Sequence, residues 1–192
     1  MNGFRLNLYG TLLSLVLCSS ATNAQEEEAL DQWALAVVNA SSNATSSLGS
    51  VDNIIGQPNS QCATSALGNF DGQSWRTARP DDGDEWVELR YPQPVEAAAI
   101  EIYETFNPGA VVAVYVRDEA GEWLPVWQGE YTAGNCPSSL RIDFPRLAFT
   151  TREVRIELDT AKIPGWNQID AVKLIGFPTG QYANFFKRVA DE

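Results

Sequence analysis

The chain has 192 residues, enough for one domain plus processing segments. It carries 25 Asp and Glu against 13 Lys and Arg, a net charge of −12. So acidic a surface repels phosphate backbones and anionic membranes, which argues against nucleic acid as a partner. The sequence holds no histidine, which removes the usual general base, the Ser-His-Asp triad and most zinc sites. Catalysis would have to rest on carboxylates alone.

Residues 1–24 read as a secretory signal peptide. Arg5 supplies the positive charge, Leu12 to Cys18 the short apolar stretch, and Thr22-Asn23-Ala24 a small-residue cleavage site. The stretch is too short to span a bilayer and no second one follows, so no transmembrane segment remains after signal removal. Two alternatives stay open: an uncleaved N-terminal anchor, and lipidation at Cys18, which the bulky Leu17 before it disfavours. Residues 25–32 form an acidic N-terminal segment. Cleavage removes Arg5 and no acid, so the mature chain is one unit more negative. It also leaves two cysteines, Cys62 and Cys136, and an even pair in an exported protein points to one disulfide. The alternative is two buried thiols. Closing so long a loop would stabilise by about 4 kcal/mol in the chain-entropy model.

From Trp33 onward, short apolar runs are broken by Gly, Pro, Asn and Asp, the pattern of an all-β sandwich. Trp33 to Val38 is the first expected strand. Residues 39–72, rich in Ser, Asn, Gly and Pro, read as a long loop region. They contain the sequons Asn39-Ala40-Ser41 and Asn43-Ala44-Thr45, meaningful only in a host that glycosylates. Trp86 to Tyr91 alternates, with Val87, Leu89 and Tyr91 on one face and Glu88 and Arg90 on the other. Glu96 to Glu104 follows beyond Pro92 and Pro94. Asn107-Pro108-Gly109 is a strong turn. Further strands are expected at Val111 to Arg117, Trp123 to Gln128, Leu140 to Phe144, Val154 to Asp159 and Gln168 to Ile175. Trp86, Trp123 and Trp127 are expected in the core. Residues 177–192 form a tail with a short helix from Tyr182 to Val189. Eight strands suit a two-sheet antiparallel jelly-roll β-sandwich, with an immunoglobulin-like sandwich as the competitor on pattern alone.

Four segments, taken in order, carry a family likeness. They are Asp84-Glu85-Trp86-Val87-Glu88-Leu89; Ile102-Tyr103-Glu104-Thr105-Phe106-Asn107-Pro108-Gly109-Ala110-Val111; Gly121-Glu122-Trp123-Leu124-Pro125-Val126-Trp127; and Pro164-Gly165-Trp166-Asn167-Gln168-Ile169-Asp170-Ala171-Val172 with Lys173-Leu174-Ile175-Gly176. The set resembles a discoidin-like subgroup of the galactose-binding-like superfamily and covers about residues 33–176. The resemblance implies an all-β jelly roll acting as a ligand-binding or interaction module. It does not select a ligand, because the superfamily includes carbohydrate, lipid and protein binders.

If the strands ending at Glu104 and starting at Gln168 run antiparallel and pair, their loops share one end of the sandwich. Glu104, Asn107, Trp166, Asn167 and Asp170 would then lie together, an aromatic platform beside amides and carboxylates that suits a sugar. The structural alternative makes Glu104 and Asp170 caps for loop N–H groups, Asn107 a turn residue and Trp166 a plug, and it stands slightly ahead. A second cluster runs through Asp71, Gly72, Asp81, Asp82, Gly83, Asp84 and Glu85. Asp71, Asp82 and Asp84 are the candidate metal ligands, with Ca2+ the fitting ion; a solvated acidic turn is the plainer reading. Trp75 and Arg76 lie between these acids and are candidates to edge a binding surface.

Three functions follow. The first is an exported, secreted or periplasmic, non-catalytic module that binds extracellular carbohydrate. The second is a module for a surface protein or envelope assembly. The third, a carboxylate-based lyase or glycosidase, would need Glu104 and Asp170 as its acid pair. Intact mass of the exported protein is expected to show cleavage after Ala24; a mature end at a lipidated Cys18, or a retained Met1, would refute it.

Overall fold

The computed structural model describes residues 27–44, 48–62 and 73–180. The signal peptide, Thr45 of the second sequon, Asp71, Gly72 and the expected helix at 182–189 lie outside the described residues. The described chain forms β1 (Leu30–Trp33), β2 (Ala36–Ala40), a 3-10 turn (Val51–Ile54) and β3 (Trp75–Arg76). The long β4 (Asp84–Phe106) follows, then β5 (Val111–Arg117), β6 (Trp123–Gln128), β7 (Ser138–Asp143), β8 (Thr151–Asp159) and β9 (Gln168–Phe177).

Every pairing is antiparallel. In one sheet β9 is flanked on one side by β1 and β3 and on the other by the second half of β4, which in turn pairs with β7. In the other sheet β2 pairs with the first half of β4, followed by β8, β5 and β6. Strand β4 therefore belongs to both sheets, and the architecture is the two-sheet antiparallel sandwich expected from the pattern. The runs expected as separate strands at Trp86 to Tyr91 and Glu96 to Glu104 are joined into one that turns a corner at Pro92-Gln93-Pro94.

The corner needs a device, because prolines have no N–H and the chain there is between ladders. Gln32, 4% exposed, supplies it. Its Oε1 accepts from the Gln93 N–H at 2.9 Å and its Nε2 donates to the Gln93 carbonyl at 3.1 Å. Beyond the corner a bulge between Ala97 and Ala99 shifts the pleat by one residue. Before it Val87, Leu89, Tyr91, Val95 and Ala97 face inward; after it Ile100, Ile102 and Glu104 do. Gly176 lies opposite Ala97, and a Cβ there would meet Glu96 O at 2.7 Å, so only glycine lets the strands approach.

Two expectations are corrected. The first strand is in fact two, because the Ala34 N–H bonds to Val172 and the next N–H, of Leu35, bonds to Arg90 in the opposite sheet. Trp86 and Trp123 are half-buried and outside the core, while Trp127, also half-buried, packs against it. The alternation that sends Val87 and Leu89 inward sends Trp86 outward, where the Arg155 guanidinium covers its ring at 4.3 Å; Arg117 covers Trp123 at 5.6 Å. The core tryptophan is Trp75, 1% exposed, so of the expected edge pair only Arg76 is at the surface.

Gln32→Ala leaves both Gln93 backbone groups without their partner. It is expected to lower unfolding stability by about 2 kcal/mol in urea denaturation, whereas loss below a few tenths would mean that water replaces the amide.

Candidate functional site

Four loops emerge at one end of the sandwich. The register brings Phe106 beside Gln168 and Asp84 beside Asp159, so the β4 start, the β4–β5 turn and the β8–β9 loop meet there. Glu104 opposite Ser138 adds the segment before β7. The expectation that residues 104–109 and 164–170 share an end rests on this pairing, and the geometry meets it.

Asn107 is the tie between the loops. It adopts φ 42°, a left-handed conformation that Asn tolerates better than most residues. From there its Nδ2 donates to the carbonyls of Pro164 at 3.1 Å and Trp166 at 3.0 Å. Gly165, at φ 96°, has room for no side chain, since a Cβ would lie 2.9 Å from that same Nδ2. Asn167, 2% exposed, returns the tie by donating from Nδ2 to the Asn107 carbonyl at 2.8 Å. Asp81, also left-handed, accepts the Gly165 N–H at 2.7 Å, and the buried Thr160 hydroxyl bonds both backbone groups of Gly83.

The two nominated acids face inward. Glu104 is 1% exposed and accepts the Gly109 N–H at 3.2 Å. Asp170 is 2% exposed, and its Oδ2 accepts the N–H groups of Asn59 and Ser60 at 2.9 and 3.1 Å. That pinned segment leads to Cys62, which is disulfide-bonded to Cys136 with Cα atoms 5.6 Å apart. Glu104, Asn107, Asn167 and Asp170 are thus placed together, but each is engaged in holding a loop. What the end presents outward is Trp166, half-buried, with the Arg76 guanidinium 4.6 Å over its ring.

Asp82 and Asp84 are exposed and Asp71 is not described. Glu85, 5% exposed, accepts the hydroxyls of Ser41 and Ser42 and so ties down the chain after β2. Among the described residues no group of three or more His, Cys, Asp and Glu is placed to hold a metal ion.

A cleft of about 560 Å³ at the opposite end, lined by Pro94, Arg117, Glu119, Thr150, Arg152 and Glu153 among others, has no counterpart in the sequence analysis. Glu153 is held there between Arg90 and Arg117 at 2.7 and 2.9 Å, and the two guanidiniums hold its carboxyl below the usual range against the cost of burial. No aromatic side chain lines this cleft. Its residues come from three separated stretches, so only the fold reveals it.

Burial pushes the Glu104 carboxyl up from 4.5 to about 7, against the smaller opposing pull of the Gly109 N–H. A carboxyl raised on folding binds its proton more tightly in the native state. Its stabilising contribution is therefore complete below about pH 4.5 and is lost as pH rises to 7. Urea titrations in metal-free buffer are expected to show about 3 kcal/mol lost across that window, and Glu104→Gln to flatten it. An unchanged pH profile in that variant would assign the dependence elsewhere.

Among solved structures, a pectin-binding carbohydrate-binding module superposes with a TM-score of 0.53 at 17% identity, covering 73% of this chain and 89% of that one. The family 32 carbohydrate-binding module from Streptococcus pneumoniae EndoD gives 0.53 at 14%, covering 73% and 94%. Reduced XRCC1, from its complex with the DNA pol beta catalytic domain, gives 0.55 at 14%, covering 77% and 99%. At these identities the likeness is one of fold. In sequence, F-box/LRR-repeat protein 4 of Bos taurus is 26% identical over 112 residues, 53% of this chain and 18% of that protein. The chain thus spans less than a fifth of that relative's length. Residues 22–184 match the family model described as Pappalysin-1, SD scarf domain, C-terminal, and the chain belongs to that family.

Proposed function

We propose that this protein is an exported, non-catalytic binding module whose ligand is extracellular carbohydrate, taken at the sandwich end that carries Trp166. The supporting observation is the Trp166–Arg76 pair. An indole and a guanidinium lie together at the surface, on loops locked by Asn107, Asn167 and Asp81. A pyranose presents C–H faces to an aromatic ring and hydroxyls to a planar donor such as Arg, and a rigid loop binds it at little ordering cost. Within this reading Trp166 and Arg76 touch the ligand, while Glu104, Asn107, Asn167 and Asp170 position them. The carbohydrate-binding modules that share the fold support the ligand class, and the disulfide supports an oxidising, extracellular setting. The non-catalytic role is supported by the two nominated acids, both turned inward on backbone N–H groups.

The alternative, a surface protein as partner, draws on the outer sheet faces. Trp86 there lines a hollow of about 390 Å³ with Arg155 and Glu157, and aromatic and Arg side chains are enriched at protein interfaces.

A glycan array, followed by calorimetry on the best ligand, tests the reading. Trp166→Ala is expected to cost about 1–3 kcal/mol in binding, through lost stacking, with the melting temperature little changed. A sharp drop in melting temperature with no glycan bound by the parent protein would make Trp166 a structural plug and remove the proposal.

A further inference from the structure

On the outer face of the second sheet, the first residues of β4 run beside the last of β8, with Trp86 opposite Glu157 and Asp84 opposite Asp159. A bulge between Val111 and Ala113 makes Val112 the extra residue of β5, next to Leu158 and Glu157. Together they wall a hollow of about 390 Å³. Its lining is of two kinds. The Trp86 indole and Val112, both half-buried, are apolar. Asp84, Glu85 and Glu157 bring three carboxylates, against the one guanidinium of Arg155. Two of these carboxylates are engaged: Glu85 accepts the hydroxyls of Ser41 and Ser42, and Glu157 Oε1 accepts from Arg155 Nε at 2.9 Å. Asp84 is exposed, and among the described residues no hydrogen bond or ion pair holds its carboxylate. The Trp86 ring already carries one cation, the Arg155 guanidinium 4.3 Å over it.

We infer that this hollow takes a Lys or Arg side chain from a basic protein partner. Such a side chain has two parts, an aliphatic stem and a charged head. The stem matches the Trp86 ring and Val112, and the head matches the carboxylate of Asp84. Arg155 is not a competitor for the place. Glu88 and Glu157 hold its guanidinium at 3.3 and 2.9 Å, so it forms a wall of the hollow and the partner's cation is met by Asp84. An anionic ligand is repelled by the three carboxylates and by a chain of net charge −12. A neutral sugar covers the ring and leaves Asp84 unanswered. An amino sugar answers the charge but is ringed by hydroxyls and has no alkyl stem for Val112. The same net charge draws a basic partner toward this face and speeds its arrival. The inference gives the protein-partner alternative its chemistry, and it stands independently of the carbohydrate reading at Trp166.

The test is a nuclear magnetic resonance titration of the whole protein with a capped peptide carrying a single arginine between glycines. Its twin carries citrulline, the uncharged isostere of arginine, and a third titrant is the methyl glycoside of glucosamine. The arginine peptide is expected to shift the Trp86 indole N–H and the Val112 amide to saturation, and the Trp166 indole to stay in place. Added sodium chloride weakens the binding, because the contact is charged and at the surface. Asp84→Asn is expected to raise Kd about threefold, and Trp86→Ala, read at Val112, about fivefold. Glu119→Gln removes the same charge at the opposite end of the sandwich and is expected to leave Kd unchanged. The inference is overturned if the citrulline peptide binds as well as the arginine peptide, or if the arginine peptide leaves Trp86 and Val112 unmoved. It is also overturned if Glu119→Gln weakens binding as much as Asp84→Asn, which would reduce the effect to net charge. Tighter binding of the glucosaminide than of the peptide would make the hollow an amino-sugar site and overturn the protein partner.

Discussion

Because β4 contributes its first half to one sheet and its second half to the other, the sheets cannot slide or rotate independently. Their relative placement is set by covalent chain at the corner and by hydrogen bonds on both sides of it. The Gln32 amide makes that corner viable by giving Gln93 the two bonds that no neighbouring strand offers. The same arrangement brings both ends of β4 back to one end of the sandwich, Asp84 beside Asp159 and Phe106 beside Gln168. The loop cluster around Trp166 is thus a consequence of how one strand is shared, and its composition can vary without moving its position.

Within that cluster the polar residues act mainly on each other. Asn107 and Asn167 exchange bonds between two loops, Asp81 and Thr160 bond the chain beside β4, and Asp170 reaches the segment leading to the disulfide. Each bond is worth only about 1 kcal/mol net, but together they remove the freedom that loops without regular structure otherwise keep. Rigidity of this kind matters most for weak ligands such as single sugars, where the entropy of ordering a loop could cancel the gain from one stacked ring. Mutual satisfaction is incomplete: Glu104 and Asn167 each keep one bonded side-chain atom and one oxygen without a partner.

Much of the fold was legible in the sequence, because strand pairing with one buried face writes itself as period-two alternation. Val154, Ile156 and Leu158 of β8, and Val87 and Leu89 of β4, alternate with charged residues in the sequence and are buried. Illegible were features that depend on a partner far along the chain. The bulge at Ala97–Ala99 lies in a run of three alanines with no alternation to break. The handover at Ala34-Leu35 shows only in which strand each N–H meets. Tryptophan carries no sign of the face it takes: on strand patterns alike, Trp127 packs against the core while Trp86 and Trp123 turn outward. The site was legible as a set of residues, since turn signals marked both loops. The direction of each side chain was not, since Asp170 bonds to Asn59 and Ser60, which no local pattern connects to it.

The outward tryptophans also explain how an acidic surface bears them. Arg155 over Trp86 is held by Glu88 and Glu157, Arg117 over Trp123 by Glu153, and Lys173 over Trp33 by Glu101 and Asp31. Each of these three rings is covered by a cation, and each cation is fixed by carboxylates. Part of the acid excess is therefore structural, but the net charge of −12 remains. That field reaches about 8 Å at physiological salt, far enough to oppose a polyanion along its length. The charge of the chain therefore disfavours any polyanion, uronate or sulfate polymers included, relative to neutral or cationic ones.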